Sequence, residues 1–101
     1  MESYNKLVRD NIPEILDAKG VSYEKRVADE EEYKVELLRK LNEEISEFST
    51  DGDVEELADV LEVIEALKKL PEYENVEEIR LKKREERGGF DKRLILKGEK
   101  S

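Results

Sequence analysis

The sequence predicts an all-α fold: a bundle of about four helices forming a single domain over residues 1–101. Three observations predict it. Apolar residues recur at helical spacing over two long stretches, 37–48 and 54–70. Three helix-start signals stand at the capping-box offset: Asp29 with Glu32, Asp53 with Glu56, and Asn75 with Glu78. Strand-like runs are confined to two brief segments, around 21–27 and 94–96.

The elements follow in order. Asp10 or Asn11 can cap a first helix, with Pro13 in its first turn, Ile12, Ile15 and Leu16 on a buried side, and Gly20 closing it. Val21, Tyr23 and Val27 hint at alternation, and with Leu94-Ile95-Leu96 they could pair as a small two-strand ribbon against the helices. A second helix begins after Asp29, where Glu30, Glu31 and Glu32 suit the positive helix end, and continues to about Phe48. Its stripe is Leu37, Leu38, Leu41, Ile45 and Phe48. Ser49-Thr50-Asp51-Gly52-Asp53 has turn chemistry, and so short a turn implies antiparallel neighbours. The third helix runs from Val54 to about Leu70 and stops before Pro71. Val54, Leu57, Leu61 and Ile64 form its stripe, widened by Val60, Val63, Leu67 and Leu70. A fourth helix starts at Asn75, is poor in apolar residues, and ends at Gly88-Gly89. Fraying is expected from Glu99.

Composition excludes several classes. The net charge of −9 opposes general nucleic-acid binding, which requires basic surface. With no cysteine there is no disulfide or thiolate metal site, and with no histidine there is no imidazole base or usual zinc site. No apolar run reaches membrane-spanning length and the amino terminus does not read as a signal peptide, so a cytoplasmic location is expected. Apolar content of 37% is low for a self-sufficient core, and the broad apolar arc of the third helix fits burial between subunits.

The chemistry-bearing stretch is Glu43-Glu44-Ile45-Ser46-Glu47 followed by Glu56-Leu57-Ala58-Asp59. Glu44/Glu47 and Glu56/Asp59 each have three-residue spacing, one helical turn on one face. Glu44 borders the second helix's stripe, with Glu47 just beyond it, while Glu56 lies inside the third helix's widened arc and Asp59 at its edge. Carboxylates there are costly unless a positive charge meets them, and like charges raise one another's pKa. A hard divalent cation such as Mg²⁺, with Mn²⁺ as a possible substitute, answers both problems through oxygen ligands. The plain alternative is a capping box at Asp53/Glu56, with Glu43 and Glu47 as surface acids near Lys40. On the fourth helix Lys83, Arg84 and Arg87 form a basic face that could take phosphates or simply complement the helix's negative end. Phe90 could stack on a base, with core packing the safer reading, and Tyr4, Tyr23 and Tyr33 are undecided.

Glu-Glu-x-x-Glu followed by Glu-x-x-Asp resembles the metal motif of the MazG-like all-α nucleoside triphosphate pyrophosphatase superfamily. Lys6-Leu7-Val8-Arg9-Asp10-Asn11-Ile12-Pro13 and Lys83-Arg84-Glu85-Glu86-Arg87-Gly88-Gly89-Phe90 resemble the terminal signatures of a small subgroup. That subgroup is described as predicted house-cleaning pyrophosphatases of noncanonical nucleotides. The resemblance implies Glu44, Glu47, Glu56 and Asp59 as metal ligands and a homodimer or dimer of dimers. It also implies that Lys6 and Arg9 act at the site, where Lys40 joins Lys83, Arg84 and Arg87 as candidate substrate-binding cations. Glu43, Glu44 and Glu47 are the candidate catalytic acids, Glu43 being equally well read as a surface residue. The implied reaction is Mg²⁺-dependent hydrolysis of a nucleoside triphosphate to monophosphate and pyrophosphate. The alternatives are phosphoribosyl-ATP pyrophosphohydrolase activity and a non-catalytic acidic helical interaction module.

Overall fold

A computed structural model describes residues 5–99, so Tyr4 and the last two residues of the expected frayed tail lie outside the described residues. The described chain is helical, with four α-helices and no strand. It divides after Lys69 into two compact units.

The first unit holds α1 (Ile12–Ala18), α2 (Glu30–Asp51) and α3 (Val54–Lys68). Its framework is the packing of α2 against α3. Both helices start as the sequence requires. Asp29 and Asp53 sit in extended backbone, and each carboxylate accepts the N–H three residues on, from Glu32 and Glu56, at 2.9 Å. The connection is tighter than expected. Helix α2 continues past Phe48 to Asp51, because the Thr50 hydroxyl donates to the Ser46 carbonyl at 3.1 Å and so does not compete with the helix. Gly52 then closes it at φ 65°, a left-handed conformation that glycine adopts freely, and its N–H bonds the Phe48 carbonyl. One turn residue and one cap therefore reverse the chain and fix which levels of α2 and α3 oppose each other.

Among the described residues, Leu37, Val60 and Val63 are the buried apolar residues, and Glu44 is buried with them at 6% exposure. The stripe expected to pack α3, Val54, Leu57, Leu61 and Ile64, is instead exposed. The widened arc does the packing, and the stripe lies one residue, about 100°, round the helix. Leu38 and Ile45 on α2 are displaced from Leu37 and Glu44 in the same sense and are exposed too. In an antiparallel pair these offsets fall on one side. The hairpin therefore presents a bare apolar side made of Leu38, Ile45, Leu57, Leu61 and Ile64.

Helix α1 has Pro13 in its first turn but no side-chain cap from Asn11, and Ile12 and Leu16 are half-buried while Ile15 is exposed. The expected ribbon is absent among the described residues. Residues 21–27 and 94–96 fall in different units and carry no strand. Two short strands alone are marginal, and each segment finds other or no anchors. The Tyr23 hydroxyl donates to Asp17 at 2.8 Å, and the Arg26 guanidinium forks onto the Glu32 carboxylate, holding its pKa below the usual range.

The second unit contains a 3₁₀ turn, Pro71–Tyr73, and α4 (Val76–Arg87). The Asn75 side chain makes no cap bond, because the preceding turn feeds it into the helix at φ −100°, ψ 14°, away from the extended cap geometry. Phe90, read as core, is 97% exposed, and Leu94, Ile95 and Leu96 nearby are exposed too. The backbone turns out of α4 at Gly88, with φ 81°, and does not return Phe90 to a packed surface of its own unit. No helix among the described residues is long and apolar enough to cross a membrane.

Candidate metal centre and adjoining cavity

The hairpin brings three of the four expected ligands together. Glu44, Glu56 and Asp59 each offer a carboxylate oxygen within 4.8 Å of the others. Helix α2 contributes the first from its packed face, and α3 contributes the others from adjoining turns. Glu47 is exposed and lies outside this set, yet it is close enough to Glu56 to raise that carboxyl's pKa. A further turn of α2 carries it from the seam towards solvent.

The three carboxyl groups are incompletely satisfied. Lys40 Nζ lies 3.3 Å from Glu44 Oε1, and Arg9 Nη2 donates to Asp59 Oδ1 at 2.6 Å. Glu44 Oε2 and Glu56 Oε2 are both shielded from water and have no hydrogen-bond partner. Shielding pushes the Glu56 carboxyl up to about 7, assisted by the hydrogen bond with Glu47 and by the charges of Glu47, Asp53 and Asp59. An orphaned buried carboxylate oxygen is a costly arrangement that native chains seldom leave unexplained. The donor set is all oxygen, anionic and preassembled, which fits a hard divalent cation and offers nothing to a soft one.

A cavity of about 800 Å³ opens beside this cluster, within the roughly 300–1,000 Å³ of small-molecule sites. Its walls come from the amino-terminal segment, α1, α2 and α3, all in the first unit. Glu44 and Asp59 form one end, where Lys6, Arg9 and Lys40 also line the wall, and Lys6 Nζ stands 3.6 Å from Glu43. The candidate catalytic acid Glu43 is thus paired and half-buried. Ile12, Leu16, Leu37, Val63 and Ala66 supply an apolar wall. The cavity and the bare apolar stripe lie on opposite sides of the hairpin, since its α2 and α3 residues are offset from the seam in the opposite rotational sense.

Lys83, Arg84 and Arg87 are exposed on α4, in the second unit, and are not among the residues of this cavity. Tyr33, Glu62 and Lys69 do line it without having been singled out for it. Their signal was helical phase. Tyr33, Leu37, Lys40 and Glu44 share a face of α2, as Asp59, Glu62, Ala66 and Lys69 do on α3. Comparison with protein-family models, with curated proteins and with solved structures returned no match.

Two outcomes are expected. The folded-state pKa of Glu56 lies above its unfolded value, so the folded chain holds a proton that the unfolded chain has lost. This contribution is intact below about pH 4.5 and disappears as pH rises towards about 7. In chelator, the thermal midpoint of the parent should therefore fall over that window relative to Glu56→Gln, and parallel curves would refute it. Second, the exposed Arg9–Asp59 pair competes with a cation for Asp59, and such pairs carry about 0–1 kcal/mol. Calorimetric titration of Arg9→Ala with Mg²⁺ should show affinity raised up to about fivefold. Weaker binding would instead mean that Arg9 holds Asp59 in place for the metal.

Proposed function

We propose that this chain is a Mg²⁺-dependent nucleoside triphosphate pyrophosphohydrolase that yields a monophosphate and pyrophosphate. Its role is the cytoplasmic disposal of noncanonical nucleotides. The observation that carries this reading is the pair of shielded, unpartnered oxygens on Glu44 and Glu56, set with Asp59 at the acidic end of a cation-lined cavity. The motif resemblance at both ends of the chain supports it and supplies the bond that is cleaved.

In this reading Glu44, Glu56 and Asp59 hold the metal, and Glu47, beside Glu56, completes the set or orients water. Bound Mg²⁺ supplies charge neutralisation at the phosphates and a more acidic water. The protein's own groups do the rest. Lys40, Arg9 and Lys6, already at the acidic end, neutralise the triphosphate and the departing pyrophosphate. Water oxygen bonds to the α-phosphorus, the bond from that phosphorus to the α–β bridging oxygen breaks, and pyrophosphate leaves. With no histidine in the chain, a carboxylate accepts the water's proton, and Glu47 is the exposed group beside the cluster placed to do so.

The functional unit in this reading is a homodimer. Few apolar residues are buried among the described residues, and the bare side of the hairpin has the length and apolar character to pack on its own copy across a two-fold axis. The cavity, on the opposite side, stays open.

Purified protein with Mg²⁺ and a panel of standard and modified nucleotides should release pyrophosphate. Orthophosphate without pyrophosphate would overturn the bond assignment, and activity on phosphoribosyl-ATP alone would assign the related reaction instead. Glu44→Gln and Glu56→Gln should abolish turnover and the Mg²⁺-dependent rise in thermal midpoint, since a ligand selective for the folded state raises its stability. Sedimentation should give the parent twice the mass of one chain. Leu61→Glu should shift it towards monomer at lower stability, and a stable monomeric parent would overturn the dimer.

A further inference from the structure

The cavity has two chemically different ends. Three ion pairs gather at one, Lys40 with Glu44, Arg9 with Asp59 and Lys6 with Glu43. Helices α2 and α3 run antiparallel from there. Moving back along α2 passes Leu37 and reaches Tyr33, and moving forward along α3 passes Glu62, Val63 and Ala66 and reaches Lys69. Tyr33 lies eleven residues before Glu44, about three helical turns and roughly 16 Å of axis on the same face. It is half-buried and is the one aromatic residue of the cavity wall among the described residues. The other end is therefore floored by Leu37 and Val63, which are buried, and flanked by the Tyr33 ring, with the cation Lys69 at its rim. An extended ligand that is highly anionic at one end and flat and apolar at the other matches this layout.

We propose that Tyr33 is the residue on which the cavity seats the base of its nucleotide, with the phosphates directed to the acidic end. The inference rests on the pyrophosphohydrolase reading and adds to it the orientation and the selectivity of the substrate. Stacking on a ring tolerates every base, because each has a π face. The rest of the wall is mostly aliphatic, with Asn11, Glu62 and Lys69 as its further polar side chains. Seating on the ring accordingly favours the larger π surface of a purine over that of a pyrimidine and admits modified bases. Such tolerance suits an enzyme whose substrates are altered nucleotides.

The test compares a nucleotide with a ligand that has no base. Binding of a non-hydrolysable purine nucleoside triphosphate and of inorganic tripolyphosphate is measured with Mg²⁺ by calorimetry, for the parent, Tyr33→Phe and Tyr33→Leu. The parent should bind the nucleotide at least about tenfold more tightly than tripolyphosphate, the order expected for one stacked base. Tyr33→Leu should lose that margin, raising KM with kcat largely retained, and leave tripolyphosphate binding unchanged. Tyr33→Phe should keep the margin. A parent that binds both ligands equally overturns the inference and leaves the pyrophosphohydrolase reading standing. So does a Tyr33→Leu chain that keeps the margin or weakens both ligands alike. A parent that binds neither overturns both. The parent's own ratio decides the matter even if Tyr33→Leu does not fold.

Discussion

Two carboxylate oxygens, Glu44 Oε2 and Glu56 Oε2, are shielded in the seam between α2 and α3 with no donor to meet them. Much of the first unit is arranged around this deficit. Removing a carboxylate from water costs several kcal/mol unless charge and hydrogen bonds compensate. The chain compensates partially and differently at each group. Lys40 approaches one oxygen of Glu44, Arg9 takes Asp59, and Glu56 answers by holding its proton to about pH 7. An apolar residue at either seam position would pack without this conflict. A fold that keeps acids there forgoes stability, a cost that the proposed cation site would account for.

The hairpin's tight connection makes the convergence geometric rather than accidental. With Gly52 as the turn and Asp53 as the cap, opposing levels of the two helices are fixed within about one turn. Glu44 then faces Glu56 and Asp59. The same register sorts the surface into two sides with different fates. One side, overlaid by the amino-terminal segment and α1, becomes the polar-ended cavity. The other keeps Leu38, Ile45, Leu57, Leu61 and Ile64 in the open. A helix pair that spends its packed face on carboxylates has little apolar surface left inside, so its remaining apolar residues need a neighbour.

Much of this was legible in the residues. Caps at Asp29 and Asp53 stated where two helices begin, and the three-residue spacing of the acids stated that each pair shares a face. Phase could not decide which of two adjoining apolar arcs on α3 packs within the chain. Val60/Val63 and Leu57/Leu61/Ile64 are equally apolar, and only the partner helix distinguishes them. Glu47 fell outside the triad although its spacing from Glu44 equals that of Glu56 from Asp59; spacing gives a shared face, and only the packed partner tells which member of a pair stays at the seam. Tyr33 and Lys69 were missed because a cavity wall is assembled from residues far apart in sequence, and nothing local marks it. Phe90 was misplaced by composition, since lone aromatics are commonly packed while this one follows a glycine exit from α4.

The electrostatics of the cavity bear on how an acidic protein would take a polyanion. The net charge of −9 repels a nucleoside triphosphate at long range, and screening limits that repulsion to about a Debye length. Close in, the sign of the site depends on what its carboxylates are bound to. While Lys40, Arg9 and Lys6 are committed to Glu44, Asp59 and Glu43, they neutralise acids and offer little to a phosphate. In the proposed function a divalent cation on the same acids would release those groups as it lowers the local negative charge. The cations that keep the cluster tolerable would then be the ones to receive the phosphates. In the proposed function this makes an empty centre a poor nucleotide site and a filled one a good one, without any rearrangement larger than three side chains changing partners.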